Sequence, residues 1–369
     1  MNNRRALILS GSISLALIIV ILGILLWTDT REQRAEAHFL NEDGILLPDL
    51  EIESVPEPEP EPVPELDKEA YDAIMRRLAH VEETEADEES EAVEEEPLWP
   101  VEAAYPNVGA ILPFHRIVAY YGNFYSTRMG VLGEYSRPVV IEKLRAESAK
   151  WEQADPETPV MPAIDYIAVV AQAGPGKDGM YRFRMPDDHI ERALSYAEEV
   201  GGIVILEVQA GRANVQTEVE ALEKYLVLPQ VHLAIDPEFA MQHTGSRPGL
   251  RVGFVTAEEV NTAAEYLAGL VRDHNLPPKV LVVHRYTQAM VRNATDITPL
   301  PEVQIVMDMD GWGTPGAKYN TYNSFIVPYP VQFTGFKLFY KNDLKGGGWV
   351  LTPPEILKLT PQPIFIQYQ

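Results

Sequence analysis

The feature that most constrains the fold is a series of eight apolar runs of strand length between residues 101 and 369. Most of these runs consist of Val, Ile and Leu, as is typical of parallel strands buried on both faces. Eight strand-and-connection repeats predict a (β/α)8 TIM barrel, which typically needs about 250 residues. The predicted strands are Arg116–Tyr121, Ala163–Ala171, Ile203–Val208, Val231–Ile235, Val280–His284, Val303–Met307, Phe336–Tyr340 and Ile364–Tyr368.

The segments between the runs carry helix signals. Asp187–Val200 is amphipathic and ends at Gly201-Gly202, and Thr256–His274 begins with a Thr-x-x-Glu capping box. An open doubly wound sheet is the alternative architecture, but no G-x-G-x-x-G motif opens a helix after the first strand. Because the chain ends at the eighth strand, we expect Val101–Pro113 to take the place of the eighth outer helix.

The N-terminal region contains one long apolar run. Ala6–Trp27 carries no charged side chain, and its length matches the roughly 20 residues that cross a bilayer as a helix. A cleaved signal peptide is the alternative, but its apolar region is shorter and is followed at once by a small-residue cleavage site. We therefore predict that residues 1–28 form a cytoplasmic tail and a single-pass membrane anchor, with the remainder of the chain extracellular.

An acidic segment separates this anchor from the predicted barrel. Residues 29–100 hold 25 acidic and 5 basic side chains, so they carry most of the formal net charge of −25. Glu57–Pro64 (EPEPEPVP) favours an extended polyproline II conformation, and Glu82–Glu96 should be disordered. Leu66–Val81 has apolar residues at helical spacing and predicts a short helix. We interpret 29–100 as a disordered spacer, with a cation- or partner-binding tail as the alternative, and 101–369 as the barrel domain.

Composition excludes several function classes. The predicted barrel domain has no strongly basic face, so we predict no nucleic-acid partner. The chain has no cysteine, which rules out disulfides, thiolate metal sites and a cysteine nucleophile. It also lacks a G-x-S-x-G elbow and tight metal-ligand spacing such as H-E-x-x-H. We therefore predict no cofactor, no metal ion and no serine nucleophile, with a metal site in which His243 and His284 join the carboxylates as the weaker alternative.

Polar pairs follow three of the predicted strands. In (β/α)8 barrels the active site lies at the C-terminal ends of the strands. Residues spaced i, i+2 on a strand share one face, and the residues between these pairs are apolar, so we expect the pairs to point into the barrel mouth. Mutual repulsion and partial burial should raise at least one carboxyl pKa, which suits a general acid. The pairs are Glu207/Gln209, Asp236/Glu238 and Asp308/Asp310.

Other side chains near the strand ends predict substrate contacts. Tyr121 ends the first strand, His284 and Arg285 end the fifth, and Trp312 follows the sixth. Aromatic faces beside carboxylates suit sugar rings, so the aromatic loop residues are candidates for glycan stacking. The alternative is that these aromatics pack the loops themselves. They include Phe124, Tyr125, Tyr135, Tyr181, Phe183, Tyr319 and Tyr322.

The segment Asp236-Pro-Glu238 at the fourth strand resembles the barrel glycoside hydrolases, above all the family 18 chitinases and family 25 lysozymes. In the chitinase motif D-x-x-D-x-D-x-E, the final Glu maps to Glu238 as proton donor and the preceding Asp to Asp236. The two earlier positions are Ala234 and Val231, so half of the motif is present.

The chain is also similar to uncharacterised bacterial exported and lipoprotein-like barrels. That likeness implies the fold and the location of the site, and no established activity. The stretches that carry it are Tyr120–Gly122, Val131–Glu134, Leu233–Glu238, Val283–Thr287 and Asp308–Gly313.

Together, the patterns and resemblances predict a glycoside hydrolase that acts on a cell-wall or extracellular polysaccharide. Glu238 would protonate the leaving oxygen, Asp236 would orient it, and Asp310 or Asp308 would act as base or nucleophile. The substrate would be held by Tyr121, Glu207, Gln209, His284, Arg285 and Trp312. The alternatives are a non-catalytic glycan- or peptidoglycan-binding protein and a stalked structural protein that uses the barrel exterior.

Overall fold

In the computed structural model, which describes residues 65–81 and 97–369, the eight apolar runs form a closed barrel of parallel strands. Each strand pairs with the next in the chain, and the last pairs with the first, with Ile117 opposite Phe365. This closure confirms the (β/α)8 barrel and excludes the open sheet. The strands are β1 (Arg116–Gly122), β2 (Val160–Ala171), β3 (Ile203–Val208), β4 (Val231–Ile235), β5 (Lys279–Arg285), β6 (Val303–Met309), β7 (Phe333–Leu338) and β8 (Phe365–Tyr368).

Helices connect most of the strands. Two predicted helix ends are confirmed: Thr256 and Glu259 form a reciprocal capping box, and the helix that starts at Asp187 ends at Gly201 in a left-handed conformation. The helices are α1 (Lys68–Leu78), α2 (Val131–Glu134), α3 (Arg137–Ala154), α4 (Asp187–Val200), α5 (Val215–Glu220), α6 (Glu223–Leu226), α7 (Ala257–His274), α8 (Pro315–Phe325) and α9 (Pro353–Ile356). Short strands at Arg182–Arg184, Val255–Thr256 and Val291–Arg292 lie in the loops.

Strand alternation creates two apolar layers. Outward-facing residues such as Leu206, Val283 and Met307 pack in the layer between the barrel and the helices. Inward-facing residues such as Ile205 and Val282 fill the N-terminal half of the barrel interior. A barrel of eight strands is just wide enough for its interior to be filled by side chains. This end of the barrel is therefore a packed core, and any ligand site must lie at the other end.

Helix α1 closes the N-terminal end of the barrel. Tyr71, Met75 and Leu78 are buried in the same apolar cluster as the inward-facing Phe333 and Phe365. This finding corrects the interpretation that residues 65–81 belong to the spacer. The physical reason is that the apolar floor of the barrel would otherwise face water, and α1 presents a matching apolar stripe.

Residues 101–113 do not replace an outer helix. This described segment contains no helix and crosses the N-terminal ends of β5 and β6. The side chain of Gln304 accepts hydrogen bonds from the backbone N–H groups of Ile111 and Leu112, both at 3.0 Å. The backbone N–H of Asn107 donates to the carbonyl of Pro301 at 2.8 Å, and Gly109 lies beside Pro277, so the segment packs before β5 and β6 and the expectation that it covers the gap left by an eighth outer helix was wrong.

Within residues 65–81 and 97–369, no helix combines the length and the apolar character that crossing a bilayer requires. The predicted anchor at 6–27 and residues 29–64 and 82–96 of the acidic spacer lie outside the described residues and stay predictions.

Candidate functional site

The C-terminal half of the barrel interior is charged, in contrast to the apolar half below it. The inward register that places Ile205 and Val282 in the floor places Glu207 and His284 two residues further along each strand. Five charged side chains in this layer are at most 2% exposed, so their interactions take place away from bulk water. They are Asp165, Glu207, His284, Asp308 and Lys337.

A glycine in β7 makes room for this layer. A Cβ atom at Gly335 would lie 2.5 Å from Oδ1 of Asp308 and 2.9 Å from Cδ1 of Phe365. Any larger residue would therefore collide with the Asp308 carboxylate and with the apolar floor. Gly335 and Lys337 are two residues apart and both face inward. The strand β7 therefore supplies the space for the Asp308 carboxylate and the cation beside the Asp310 carboxylate.

His284 lies at the centre of the charged layer. Its Nε2 is 3.2 Å from Oε2 of Glu207, and its Nδ1 is 3.2 Å from Oδ2 of Asp308 and 3.3 Å from Oδ2 of Asp310. Burial alone would lower the pKa of His284, but the carboxylates of Asp308, Asp310 and Glu207 raise it well above its ordinary value. His284 is therefore cationic when only these carboxylates surround it.

Hydrogen bonds join this layer to the mouth above it. The Tyr121 hydroxyl and the Gln209 amide each donate to Oε1 of Glu207 at 2.9 Å. The same amide lies 3.4 Å from Oδ2 of Asp236, whose Oδ1 accepts the backbone N–H of Glu238 at 2.9 Å. Asp236 thereby fixes the short 3-10 turn Pro237–Phe239 that presents Glu238.

The carboxyl groups at the mouth occupy different electrostatic environments. Burial and the Glu207 charge raise the pKa of Asp236 well above its ordinary value, and burial and Asp310 raise the pKa of Glu238. For Asp310, burial is outweighed by Lys337 and His284, which lower its pKa. Nζ of Lys337 lies 3.1 Å from Oδ1 of Asp310. The mouth therefore combines protonated carboxyl groups with an ionised one.

An open cleft of about 550 Å³ lies over these groups. Trp312 is 56% exposed at the edge of this cleft, and Nζ of Lys345 lies 5.1 Å from its ring centroid. Tyr286, on the loop after β5, hydrogen-bonds to Glu238. The predicted site residues that line the cleft are Tyr121, Gln209, Asp236, Glu238, Asp310 and Trp312.

Four predicted site residues do not line the cleft. Asp308, Glu207 and His284 are fully buried beneath it, so they support the mouth instead of contacting a ligand in the cleft. Arg285 faces outward because it follows the inward-facing His284. Its guanidinium donates to the carbonyl oxygens of Thr287 and Gln288 at 3.3 and 3.1 Å, which corrects its assignment to substrate binding.

Several aromatic candidates pack within the protein. Tyr125 stacks on His189 with ring centroids 4.1 Å apart, and Phe124 stacks on Tyr166 at 4.8 Å. Tyr322 is fully buried in the outer layer. Tyr125 nevertheless remains 69% exposed, so the alternative of loop and core packing is correct for Phe124 and Tyr322.

The sequence analysis missed Asp165, Lys337 and Gln367. The Gln367 amide donates to Oδ2 of Asp165 at 2.6 Å, and burial and Glu207 raise the pKa of Asp165 to about 8. Nζ of Lys337 lies 3.9 Å from the Tyr121 ring centroid. Each of the three is a polar residue at an inward position inside an apolar strand, whereas the predicted site residues all lie at or after strand ends.

Comparisons with known proteins give little beyond the architecture. No family model matches the chain, and no curated protein matches it. Among solved structures, the Bacillus subtilis mannanase BCman is similar with 11% sequence identity and a TM-score of 0.35, over 70% of this chain and 81% of that chain. A similarity of this size assigns neither a substrate nor a catalytic residue.

Proposed function

We propose that this protein is a glycoside hydrolase that acts on a cell-wall or extracellular polysaccharide. The observation that carries the proposal is the open cleft at the C-terminal end of the barrel, where Asp236, Glu238 and Asp310 meet beside the exposed ring of Trp312. Glycosidic hydrolysis requires two carboxyl groups, one that donates a proton and one that is ionised.

Glu238 is the proposed general acid. Burial raises its pKa, which favours the protonated form that an acid catalyst needs near neutral pH. Asp236 acts as a positioning residue because its carboxylate holds the backbone N–H of Glu238. The position of the proton donor therefore depends on a hydrogen bond made by the preceding strand end.

Asp310 is the proposed base or nucleophile. Its ion pair with Lys337 at 3.1 Å keeps the carboxylate ionised, and it faces the same cleft as Glu238. A carboxylate in this place stabilises the positive charge that develops on the sugar ring in the transition state. Trp312 offers an apolar ring face on which the C–H face of a sugar can pack.

We further propose that residues 6–27 anchor the protein in the cell membrane and that the barrel domain is extracellular. The apolar run and its length support the anchor. Within the described residues, α1 covers the end of the barrel opposite the cleft.

The test is hydrolysis of a polysaccharide panel by the full chain in detergent micelles. The panel includes peptidoglycan, chitin, mannan, xylan and β-glucan, and the readout is the release of reducing ends. We expect release from at least one polymer, and its loss in the D236N/E238Q variant. The matched control is Glu191→Gln on the exposed surface of α4, which should retain full activity.

Two outcomes would contradict the hydrolase proposal. Saturable glycan binding without release of reducing ends would identify a non-catalytic binding protein. Release that is equal in the wild type and in D236N/E238Q would place the chemistry outside this cleft.

A further inference from the structure

We propose that Asp165, Glu207 and His284 bind a divalent transition-metal ion inside the barrel, beneath the cleft. The three residues lie on β2, β3 and β5, and each is fully buried. One ligand atom from each residue lies within 4.8 Å of the other two. This inference does not depend on the proposed hydrolase activity.

The donor spacing is close to that of a formed site. An ion about 2.1 Å from each donor keeps any two donors at most about 4.2 Å apart. Closure around an ion therefore requires a contraction of about half an ångström, which side-chain rotation can supply. The separation of 3.2 Å between Nε2 of His284 and Oε2 of Glu207 already suits two ligands on one ion.

Unsatisfied polar atoms give independent support for an occupant. Oδ1 of Asp165 is buried and makes no hydrogen bond within the described residues, whereas Oε2 of Glu207 and the ring nitrogens of His284 have only their charge contacts at 3.2–3.3 Å, whose geometry is not that of a hydrogen bond. The other oxygen of each carboxylate is used, because Oδ2 of Asp165 accepts from Gln367 and Oε1 of Glu207 accepts from Tyr121 and Gln209. A carboxylate that ligates a metal typically accepts a hydrogen bond at one oxygen, which fixes its orientation, and binds the ion through the other.

The described interior holds more carboxyl groups than basic side chains, so a bound cation would allow more of these carboxyl groups to ionise. Five carboxyl groups converge there, whereas the cationic candidates are the side chains of Lys337 and His284. Buried charges are costly unless they are paired or coordinate a metal. The carboxyl groups belong to Asp165, Glu207, Asp236, Asp308 and Asp310.

The donor set indicates the kind of ion. One imidazole nitrogen with two carboxylate oxygens suits Zn²⁺, Mn²⁺ or Fe²⁺, whereas Ca²⁺ and Mg²⁺ favour oxygen ligands alone. When Nε2 of His284 binds the ion, Nδ1 faces Asp308 and Asp310 at 3.2 and 3.3 Å. A carboxylate beside the second ring nitrogen is the usual support of a metal-bound histidine.

The test is metal binding by the full chain after chelator treatment, measured by calorimetric titration with Zn²⁺ and by electron paramagnetic resonance with Mn²⁺. We expect one ion per chain at this site, and at least about a tenfold loss of affinity in D165N and in E207Q. Both variants are nearly isosteric, and circular dichroism checks that they fold. The matched control is His243→Ala, which removes the His243–Glu259 pair and should leave this site intact.

If the variants do not fold, X-ray absorption at the zinc edge of the wild type identifies the ligands of the bound ion. The proposal predicts one imidazole and oxygen ligands at about 2.0–2.2 Å. No binding by the wild type, unchanged affinity in D165N and E207Q, or a spectrum with two or more imidazoles would overturn it. Hydrolysis data do not enter this test, so its failure is distinct from failure of the proposed function.

Discussion

Replacement of Lys337 by methionine tests whether the barrel interior holds a true ion pair. Lys337 is 2% exposed, and its Nζ lies 3.1 Å from Oδ1 of Asp310. At an effective dielectric constant of about 20, this separation corresponds to an attraction of about 5 kcal/mol. Methionine keeps the volume of the side chain but leaves Asp310 with His284 as its nearest cation, at 3.3 Å.

The expected loss of stability is smaller than the full Coulomb attraction, because removing the lysine also removes the desolvation cost of burying its charge. Breaking a buried pair by deleting one partner typically costs about 3–5 kcal/mol. We therefore expect the free energy of unfolding of Lys337→Met, measured by urea denaturation of the full chain, to fall by about 3 kcal/mol. The matched control is Lys224→Met, which removes an exposed pair with Asp187 and should lower the free energy of unfolding far less. Equal, small losses in both variants would refute the buried ion pair.

Three further predictions concern the floor and the walls of the barrel. Gly335→Ala should lower the urea midpoint by more than Gly316→Ala. A Cβ at Gly335 would lie 2.5 Å from the Asp308 carboxylate, whereas a Cβ at Gly316 would have no atom within 4 Å. Equal midpoints would contradict this packing. Tyr71→Ala should cost about 3–5 kcal/mol of unfolding free energy if α1 closes the barrel, whereas Tyr125→Ala, at a 69% exposed ring, should cost much less. Burial lowers the pKa of His232 to about 3, so the unfolded chain binds a proton below pH 6.5 that the folded chain does not. The free energy of unfolding of the wild type, relative to that of His232→Gln, should then fall by up to about 1.4 kcal/mol for each pH unit below 6.5, which urea denaturation of both proteins at pH 6 and pH 5 measures.

The eight strands were predictable because a strand buried on both faces must be apolar at nearly every position. Ile203–Val208 and Val231–Ile235 are observed with the predicted bounds. The acidic pairs were predictable because strand alternation gives the face on which a residue lies. The same alternation, applied to Arg285, would have shown that it cannot face inward beside His284.

Other features depend on contacts between distant segments. The periodicity of α1 shows that one of its faces is apolar, but the partner of that face, which includes Phe333 and Phe365, lies more than 250 residues away in sequence. Asp165 and Lys337 are single polar residues within apolar strands. Their meaning emerges only when barrel closure places them in one layer with Glu207 and His284.

The central claim is that Glu238 donates a proton to a glycosidic oxygen in the cleft. The most direct measurement is kcat/KM of the wild type and of Glu238→Gln on the polysaccharide that the wild type hydrolyses fastest. Glutamine keeps the shape of the side chain and removes the acidic proton, so the claim predicts a fall of at least about 100-fold. A value within threefold of the wild type would contradict it.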